Sequence, residues 1–386
     1  MSYISAPSSN YKEVIKLELT SNFTISASGG GSWSQTGNDL YLTAIAYPSI
    51  AKLTTSRIAV VDESTDTLRA YDWDGTDFSQ VGNALSITSL QRPCVTALSS
   101  TRVAVTDQNA NTLTTYDFDG TDWSATGNSY TMTGLGNRPK CQYYGRANEV
   151  VICSDGAGGN LESFSFDGTD WTSASNQVAG STGGEVNLTM LDTDKIALAD
   201  KNGALETWEF DGTDWTQTGN TLTITGVSNP CISAFATDQV AFVDAGNEDL
   251  RVYQFDGTDW AEIGTELNLA LVTNQLLALE WLTGFDFAFL DDQNDDLRVY
   301  TNSGGATITD NLANDLFDTI FEAADEFSIS GSASNNGSGY TVTTLTDGDN
   351  MTVGGALTNE TGVFTISIDV QDNDVLTGLN GVFVSR

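Results

Sequence analysis

The hexapeptide Phe-Asp-Gly-Thr-Asp-Trp occupies residues 118–123, 166–171, 210–215 and 255–260, and residues 73–78 repeat it with the two aromatic residues exchanged. The first aspartates of the five copies lie 45, 48, 44 and 45 residues apart. A period in this range is typical of supersecondary units that stack or close into a ring. The architecture of one unit therefore explains most of this chain of 386 residues.

One repeat unit contains four short segments with strand character, at residues 94–98, 102–107, 113–118 and 123–132. These segments are rich in β-branched and aromatic residues and are bounded by Gly, Asn, Asp or Pro, which favour turns. The Asp-Gly pair of the hexapeptide predicts a tight hairpin between the third and fourth segments, because such turns need positive φ. Four antiparallel strands in about 45 residues form one blade of a β-propeller.

The number of blades follows from the aspartate that ends the second strand of each unit. These strand-end aspartates are Asp62, Asp107, Asp155, Asp200, Asp244 and Asp291. Partial copies of the hairpin flank the array at residues 28–33 and 302–307, and the first copy can complete the last blade and close the ring. We therefore predict an all-β fold with a six-bladed propeller over residues 23–310, and seven blades as the alternative.

The charge and the residue composition argue against several classes of function. The chain carries 15 basic and 52 acidic residues, a formal charge of −37, so we expect no nucleic-acid partner. The charge would suit Ca²⁺ or a saline setting, but we interpret the acidic loops as solvated and expect no metal ion and no cofactor. The chain has no histidine, which excludes His-ligated zinc and Ser-His-Asp catalysis.

The N-terminal residues and the lengths of the apolar runs bear on where the chain is assembled. Residues 1–10 are polar and do not resemble a signal peptide, and no apolar run is long enough to span a bilayer. We therefore expect assembly from the cytoplasm without membrane insertion.

Cys94 and Cys231 occur at the same repeat position, which indicates small buried fillers. Cys141 and Cys153 fall on neighbouring strands, and the sequence leaves their pairing open.

Residues repeated in every unit are better explained by blade construction than by a single catalytic event. The strand-end aspartates are expected to bind local backbone N–H groups, as in Asx turns. The aromatic residue that begins each fourth strand is expected to wedge between neighbouring blades. These blade aromatics are Trp33, Phe78, Trp123, Trp171, Trp215 and Trp260. Carbohydrate stacking on these rings and glycoside hydrolysis by paired carboxylates are the alternatives.

Recognition is expected where the units differ, in the loops that precede the first strand of each blade. Four of the five prolines stiffen these loops, at positions 48, 93, 139 and 230. The candidate ligand-binding residues of this face are Tyr47, Arg92, Arg138, Lys140, Tyr144 and Asn229. Tyr144 is included because adjacent residues of a strand point to opposite faces, so one of Tyr143 and Tyr144 would be exposed. The basic spot suits an anionic sugar or a partner carboxylate, with solvated arginines as the alternative.

The segments outside the array differ in pattern from the blades. Residues 1–22 are predicted to form an N-terminal arm. Residues 311–326 place Leu312, Leu316 and Ile320 on one side, which predicts an amphipathic linker helix that docks on a neighbouring domain or forms the seam of a homo-oligomer. Residues 327–386 alternate strands with Gly, Asn and Asp turns, which predicts a small C-terminal β-sandwich or barrel.

Three strings of the C-terminal segment carry a resemblance. Residues 330–337 (SGSASNNG), 340–343 (YTVT) and 351–360 (MTVGGALTNE) resemble a short β module of tailed-bacteriophage structural proteins. The resemblance implies a non-enzymatic virion protein, such as a fibre, tail-associated or head-decorating protein, assembled in the host cytoplasm. Its implied partners are capsid or tail proteins and a host-surface receptor or glycan. A polysaccharide depolymerase and a lectin-like binding module are the competing hypotheses.

Overall fold

The computed structural model describes residues 15–28, 33–132, 139–153, 160–176, 178–179, 185–269, 277–283, 286–302, 305–310, 326–330, 337–347, 350–354 and 360–370. Strands, turns and loops account for all of these residues, and none of them is helical. Accordingly, no helix in the described part of the chain is long and apolar enough to cross a membrane. The chain divides into two compact units, one of them Ser32–Asn302 and the other Met1–Gly31 with Ser303–Arg386.

The unit Ser32–Asn302 is a six-bladed propeller, so the predicted blade number is confirmed and the seven-bladed alternative is wrong. Two strands, β1 (Ile15–Ser28) and β2 (Trp33–Tyr41), precede the first inner strand. Blade one contains β3 (Ser49–Thr54), β4 (Arg57–Asp62), β5 (Thr67–Trp73) and β6 (Phe78–Ser86). Blade two contains β7 (Cys94–Ser99), β8 (Arg102–Asp107), β9 (Thr112–Phe118) and β10 (Trp123–Thr131).

The next two blades repeat this plan, with the outer strand of blade three in two pieces. Blade three contains β11 (Lys140–Tyr143), β12 (Glu149–Cys153), β13 (Asn160–Phe166), β14 (Trp171–Ser173) and β15 (Val178–Ala179). Blade four contains β16 (Asn187–Asp192), β17 (Lys195–Ala199), β18 (Ala204–Phe210) and β19 (Trp215–Thr223).

The last blade is completed by a strand from the start of the propeller. Blade five contains β20 (Cys231–Ala236), β21 (Gln239–Asp244), β22 (Asp249–Phe255) and β23 (Trp260–Asn268). Blade six contains β24 (Leu277–Thr283), β25 (Asp286–Asp291) and β26 (Asp296–Asn302). Strand β2 pairs with β26 as the fourth strand, with Trp33 opposite Asn302. The predicted closure of the ring is therefore confirmed.

The blade aromatics lie between neighbouring blades, as predicted. All six are buried, with at most 8% of the side chain exposed. The indole N–H groups of three tryptophans donate to hydroxyl groups of the preceding blade: Trp171 to Thr115, Trp215 to Ser163 and Trp260 to Thr207. The indole N–H groups of Trp33 and Trp123 have no hydrogen-bond partner among the described residues. The burial of these rings supplies much of the apolar area that holds the blades together.

A second contact joins the blades along their outer strands. The Gly-Asn pair in the fourth strand forms a bulge, and in blade one Gly82 has φ +68°. The N–H of Asn83 donates to the carbonyl oxygen of Thr121 at 2.7 Å, and its side-chain amide donates to Asp122 at 2.8 Å. Thr121 and Asp122 belong to the hexapeptide turn of the next blade. Equivalent contacts start from Asn38, Asn128, Asn176 and Asn220.

The first aspartate of each hexapeptide organises this turn. In blade two, the carboxylate of Asp119 accepts the backbone N–H groups of Thr121 at 2.8 Å and Asp122 at 2.7 Å. These hydrogen bonds stabilise the ionised form and lower the pKa of the Asp119 carboxyl. The same arrangement occurs at Asp74, Asp167, Asp211 and Asp256. The repeated hexapeptide is thus both a hairpin turn and the docking point for the preceding blade.

The second unit contains β1 and five further strands: β27 (Gly305–Asp310), β28 (Glu326–Ser330), β29 (Gly337–Asp347), β30 (Asn350–Gly354) and β31 (Glu360–Val370). They form a closed barrel with the strand order β1, β27, β30, β29, β28 and β31. Strand β1 pairs with β31 from Ile15 opposite Val370 to Ile25 opposite Glu360. The barrel therefore joins sequence from both sides of the propeller.

The boundaries differ from the expected ones at both ends. Residues 15–22 were expected in an arm and residues 23–28 in the propeller, but together they form β1 of the barrel. The apolar residues at 15, 17, 19, 23 and 25 follow the period of a strand, which the division at residue 22 ignores. The propeller ends at Asn302 and not at residue 310, because β27 pairs with β1. The predicted linker helix, residues 311–326, falls outside the described residues except for Glu326, which begins β28.

Candidate functional site

The loops before the inner strands converge at one end of the propeller axis, which we call the proline mouth. Its cavity of about 40 Å³ is lined by Tyr47, Pro48, Arg92, Pro93, Pro139, Lys140, Glu185, Val186, Asn229, Pro230 and Leu277. The structure therefore brings together four of the predicted candidates, Tyr47, Arg92, Lys140 and Asn229. Arg138 lies outside the described residues.

Four residues of the proline mouth share an unusual backbone conformation. Tyr47, Arg92, Glu185 and Asn229 have φ values of 49°, 44°, 45° and 47°, in the left-handed region that non-glycine residues seldom adopt. Three of them precede a proline, which restricts their backbone further. Such conformations persist where the surrounding structure enforces them, and they cluster at ligand sites. Four blades thus hold the same position in the same strained form at one mouth.

The basic side chains of the proline mouth are placed by specific contacts. The guanidinium carbon of Arg92 lies 5.2 Å from the ring centroid of Tyr47, within the range of a cation–π interaction. The backbone N–H of Arg92 donates to the carboxylate of Glu63 at 2.9 Å, which fixes the loop to blade one. Lys140 is partly exposed and also lines the cavity below the mouth. The mouth therefore presents two cations beside the carboxylate of Glu185.

Tyr144 is not part of this mouth, which corrects the expectation. Its side chain is fully buried between blades three and four, with ring centroids 5.6 Å from Phe210 and 5.3 Å from Trp215. Its hydroxyl donates to Glu149 at 2.5 Å, and burial raises the pKa of the Tyr144 phenol. Tyr143, the last residue of β11, is the partly exposed tyrosine and lines the opposite end of the axis, whereas Tyr144 follows the strand.

The aspartates that end the second strands stabilise turns by accepting backbone hydrogen bonds. Asp107 accepts the N–H of Asn109 at 2.9 Å, Asp200 that of Asn202 at 2.9 Å, and Asp291 that of Asn294 at 2.7 Å. Asp62 and Asp244 accept backbone N–H groups in the same way. The Asx-turn prediction is confirmed for these five, and Asp155 lies outside the described residues. In the described part of the chain, no group of three or more Cys, Asp or Glu residues is arranged to hold a metal ion.

The cysteines are free and buried, as predicted for small fillers. The backbone N–H of Cys141 donates to Sγ of Cys94 at 3.2 Å, and the amide of Asn187 donates to Sγ of Cys231 at 3.3 Å. These residues surround a cavity of about 30 Å³ halfway along the axis. Cys141 lies opposite Ile152 and not Cys153 in the register of blade three.

The opposite end of the axis opens into a larger cavity of about 320 Å³, which we call the wide mouth. Each blade contributes one residue of its inner strand to a ring at this level. The ring consists of Lys52, Ala97, Tyr143, Met190, Ala234 and Trp281. All six are partly exposed into the cavity.

Hydrogen bonds between neighbouring blades define the ring. In three blades, the N–H of the ring residue donates to a hydroxyl of the preceding blade: Tyr143 to Thr96 at 2.9 Å, Ala234 to Thr189 at 2.9 Å and Trp281 to Ser233 at 2.8 Å. At the junction of blades six and one, the N–H of Lys52 donates instead to a carboxylate oxygen of Glu280 at 3.3 Å. Glu280 therefore stands where three other blades carry a hydroxyl, and Lys52 stands where the other five blades carry a neutral residue.

The two charged residues of the wide mouth are poorly solvated. Burial raises the pKa of the Glu280 carboxyl to about 8, against the opposing effect of the Lys52 N–H and charge. Burial also lowers the pKa of the Lys52 ammonium, and Glu280 opposes this shift. The ammonium lies 3.4 Å from the ring centroid of Trp281. Titratable groups in a cavity whose pKa values are shifted toward the neutral form are a feature of functional sites.

Three residues of the two mouths were not predicted from the sequence: Lys52 and Glu280 in the wide mouth and Glu185 in the proline mouth. Blade four carries Val186 where four other blades carry proline, so the proline signal does not identify Glu185. Lys52 and Glu280 are the charged residues at two inner-strand positions where the other blades are neutral. A comparison of the six inner strands, position by position, would have found them.

The strand pairings define the class of protein: an all-β, six-bladed propeller. No protein-family model matches the chain, and no curated protein matches it either. The solved structures that resemble it in fold include a propeller domain, a lectin and a lyase. The β-propeller domain of Cps50 (Swd1) from Myceliophteria thermophila has 8% identity and a TM-score of 0.46, covering 66% of this chain and 82% of its own.

Two further similar structures are the lectin and the lyase. The SapL1 lectin in complex with α-methyl fucoside has 14% identity and a TM-score of 0.46, covering 69% of this chain and 93% of its own. A streptogramin B lyase has 10% identity and a TM-score of 0.47, covering 72% of this chain and 98% of its own. At this level of similarity the activities of these proteins do not transfer to the chain.

Proposed function

We propose that this protein is a non-enzymatic recognition module whose proline mouth binds an anionic group. The observation that carries the proposal is the shared left-handed conformation of Tyr47, Arg92, Glu185 and Asn229, which directs four loops to one cavity. Arg92 and Lys140 place positive charge there in a chain of formal charge −37. The ligand class that fits is a carboxylate-bearing glycan of a host surface or a carboxylate of a partner protein.

The distribution of the carboxylates favours binding over catalysis. A glycosidase needs two carboxyl groups that flank the scissile bond about 5–10 Å apart. The recurrent aspartates of the blades accept backbone hydrogen bonds in turns and are committed to structure. Glu185 is the acidic residue among those that line the proline mouth. A depolymerase remains the competing hypothesis, and the binding experiment below also tests it.

The double substitution Arg92→Gln and Lys140→Gln is expected to weaken binding of acidic glycans by at least about tenfold, because each charge-assisted hydrogen bond contributes about 1.5–3 kcal/mol. The measurement is calorimetric titration with oligosaccharides that contain uronic or sialic acid, alongside their neutral counterparts. Binding of acidic glycans is also expected to weaken as NaCl is raised. The matched control is Lys201→Gln, which removes an exposed charge from a turn of blade four.

Two outcomes would contradict this proposal. Equal binding of acidic glycans by the double variant and the parent would remove the proline mouth from recognition. Release of new reducing ends during incubation with the glycan would indicate a glycosidase and not a binding module. If the protein binds no glycan but binds an acidic peptide tightly, the ligand of the proline mouth is a carboxylate of a partner protein.

We further propose that the small β-barrel attaches the propeller to the virion of a tailed bacteriophage, next to a capsid or tail protein. Two observations support this role: the phage-like strings at residues 330–337, 340–343 and 351–360, and the separation of the barrel strands from the propeller as a compact unit. Strands from both ends of the propeller sequence meet in this barrel. One unit would then be available for attachment while the other recognises a ligand.

Deletion of residues 311–386 is expected to abolish incorporation into particles, because it removes β28 to β31 and with them four of the six barrel strands. Immunoblots of purified particles measure incorporation. Circular dichroism melting of the purified variant checks that the propeller remains folded. Unaltered incorporation of a folded variant would refute the attachment role and leave the binding role of the proline mouth untouched.

A further inference from the structure

The wide mouth has the size and lining of a site for a small molecule. Its volume of about 320 Å³ lies at the lower end of the range for ligand pockets, about 300–1,000 Å³. Its walls combine polar residues with apolar ones, and the apolar side includes Met190, Phe235 and the ring of Tyr143. Such pockets bind the apolar part of a ligand by burial and orient it with a few polar groups. Here the charged groups are Lys52 and Glu280.

Lys52 and Glu280 affect each other's pKa, but they do not form a direct ion pair. No ion pair joins them within the described residues, and the Lys52 ammonium makes its cation–π contact with Trp281 without a hydrogen bond to any described side chain. Glu280 accepts one hydrogen bond, from the backbone N–H of Lys52. A buried charge without a partner is costly, so both groups are shifted toward neutrality, and a ligand that brings both complementary charges would stabilise their charged forms.

A neutral ligand would leave this electrostatic cost in place. A purely anionic ligand would satisfy Lys52 but would repel Glu280, and a purely cationic ligand would do the reverse. A zwitterion with both charged groups on one carbon atom offers a complementary charge to each residue. An α-amino acid has this arrangement, and its side chain projects away from the charges toward the apolar wall.

We propose that the wide mouth binds a free α-amino acid with an apolar side chain, whose ammonium pairs with Glu280 and whose carboxylate pairs with Lys52. The side chain packs against Met190, Phe235 and Tyr143. This site lies at the end of the axis opposite the proline mouth and uses different residues. The inference therefore goes beyond the proposed recognition of an anionic group and does not depend on it.

The test is calorimetric titration of the full chain with L-phenylalanine and L-leucine. N-acetyl-L-phenylalanine and L-phenylalaninamide serve as probes that lack one of the two charges. We expect binding of the free amino acids and a loss of at least about tenfold for each blocked probe, since each removes a charge-assisted contact of about 1.5–3 kcal/mol. A methyl glycoside is included as a neutral ligand of similar size.

Two variants connect the binding to the two charged residues. Glu280→Gln and Lys52→Met are each expected to weaken binding of L-phenylalanine by at least about tenfold. Glu280→Gln should also reduce the discrimination against N-acetyl-L-phenylalanine, because no carboxylate remains to require an ammonium. Lys201→Gln is the charge control and should bind as the parent does. Circular dichroism melting shows whether each variant is folded.

Three outcomes overturn the inference: no heat of binding with either amino acid at millimolar concentration, equal binding of the N-acetyl probe by the parent, or unchanged binding in folded Glu280→Gln. Binding of the methyl glycoside in place of the amino acids would assign the cavity to a sugar and overturn it as well. None of these outcomes bears on acidic glycans at the proline mouth, because that test uses Arg92→Gln and Lys140→Gln.

Discussion

A propeller that lacks β2 will not fold as a stable monomer. We expect residues 32–302 to unfold in a cooperative thermal transition and residues 42–302, which lack this strand, to show none. Without β2, the edge of β26 loses its ladder of hydrogen bonds with Trp33–Tyr41. An unpaired edge of this kind also promotes association between chains.

The loss of β2 also opens two contacts between blades. Trp33 is 8% exposed, and its ring centroid lies 5.4 Å from that of Phe287 in the core between blades five and six. Removal of a buried tryptophan costs about 3–5 kcal/mol. Asn38 binds the turn of blade one through the carbonyl of Thr76 and the carboxylate of Asp77. These losses together are comparable with the whole free energy of unfolding of a typical domain, about 5–15 kcal/mol.

A rearranged chain provides the control for this prediction. In blade two, Phe118 and Trp123 are opposite each other and the four turn residues Asp-Gly-Thr-Asp join them. Asn302 and Trp33 are opposite each other in the same way in blade six. A chain of residues 42–302, followed by Asp-Gly-Thr-Asp and residues 33–41, should therefore recover the melting transition of residues 32–302. Cooperative melting of residues 42–302 alone at the parent temperature would show that ring closure contributes little.

The second large effect is expected at Gly82, where the bulge of β6 meets the turn of blade two. A Cβ atom at Gly82 would lie 2.1 Å from the carbonyl oxygen of Thr121. Backbone atoms cannot avoid this overlap by rotation of a side chain, so Gly82→Ala must separate the two blades locally. The hydrogen bonds from Asn83 to Thr121 and Asp122 would then be strained or lost.

We expect Gly82→Ala to destabilise the protein by about 3 kcal/mol or more, from overpacking, a positive φ and the weakened contact. For a domain of this size the melting temperature should fall by about 6–12 °C. Gly120→Ala separates the contributions, because Gly120 also has positive φ, +101°, but a Cβ there would meet no atom within 4 Å. Its exposed turn can relax, so a smaller loss of about 1–2 kcal/mol is expected. Equal melting temperatures for the two variants would contradict the proposed role of the bulge.

The local parts of the fold were predictable because short-range sequence signals encode them. Strand β8 begins at Arg102 and ends at Asp107, as its apolar run and terminal aspartate predicted. The Asp-Gly turns and the Asx turns follow from residue chemistry within a few positions. Closure of the ring by residues before the first full blade was also predictable, because the partial hairpin at residues 28–33 lacks inner strands of its own.

The barrel was less accessible to sequence reasoning. Its first strand, β1, and its last, β31, are separated by the whole propeller, yet they pair along their length. A strand whose partner lies more than 300 residues away gives no hairpin signal, so residues 15–28 were divided between an arm and the propeller. Pairing between distant segments depends on the tertiary structure and only weakly on local pattern.

The sequence by itself determined the repeat, its four strands, the turn that ends each hairpin and the number of blades, because each depends on residues close together in the chain. Only the tertiary structure decided which side chains share a cavity. Lys52 and Glu280 are separated by 228 positions and meet because the ring closes between blades six and one. Tyr143 and Tyr144 are adjacent, yet Tyr143 at the end of β11 lines the wide mouth, and Tyr144, just after the strand, is buried between blades. The charges of Lys52 and Glu280 depend on their burial and on their proximity to each other. Burial and proximity arise only when the blades are packed.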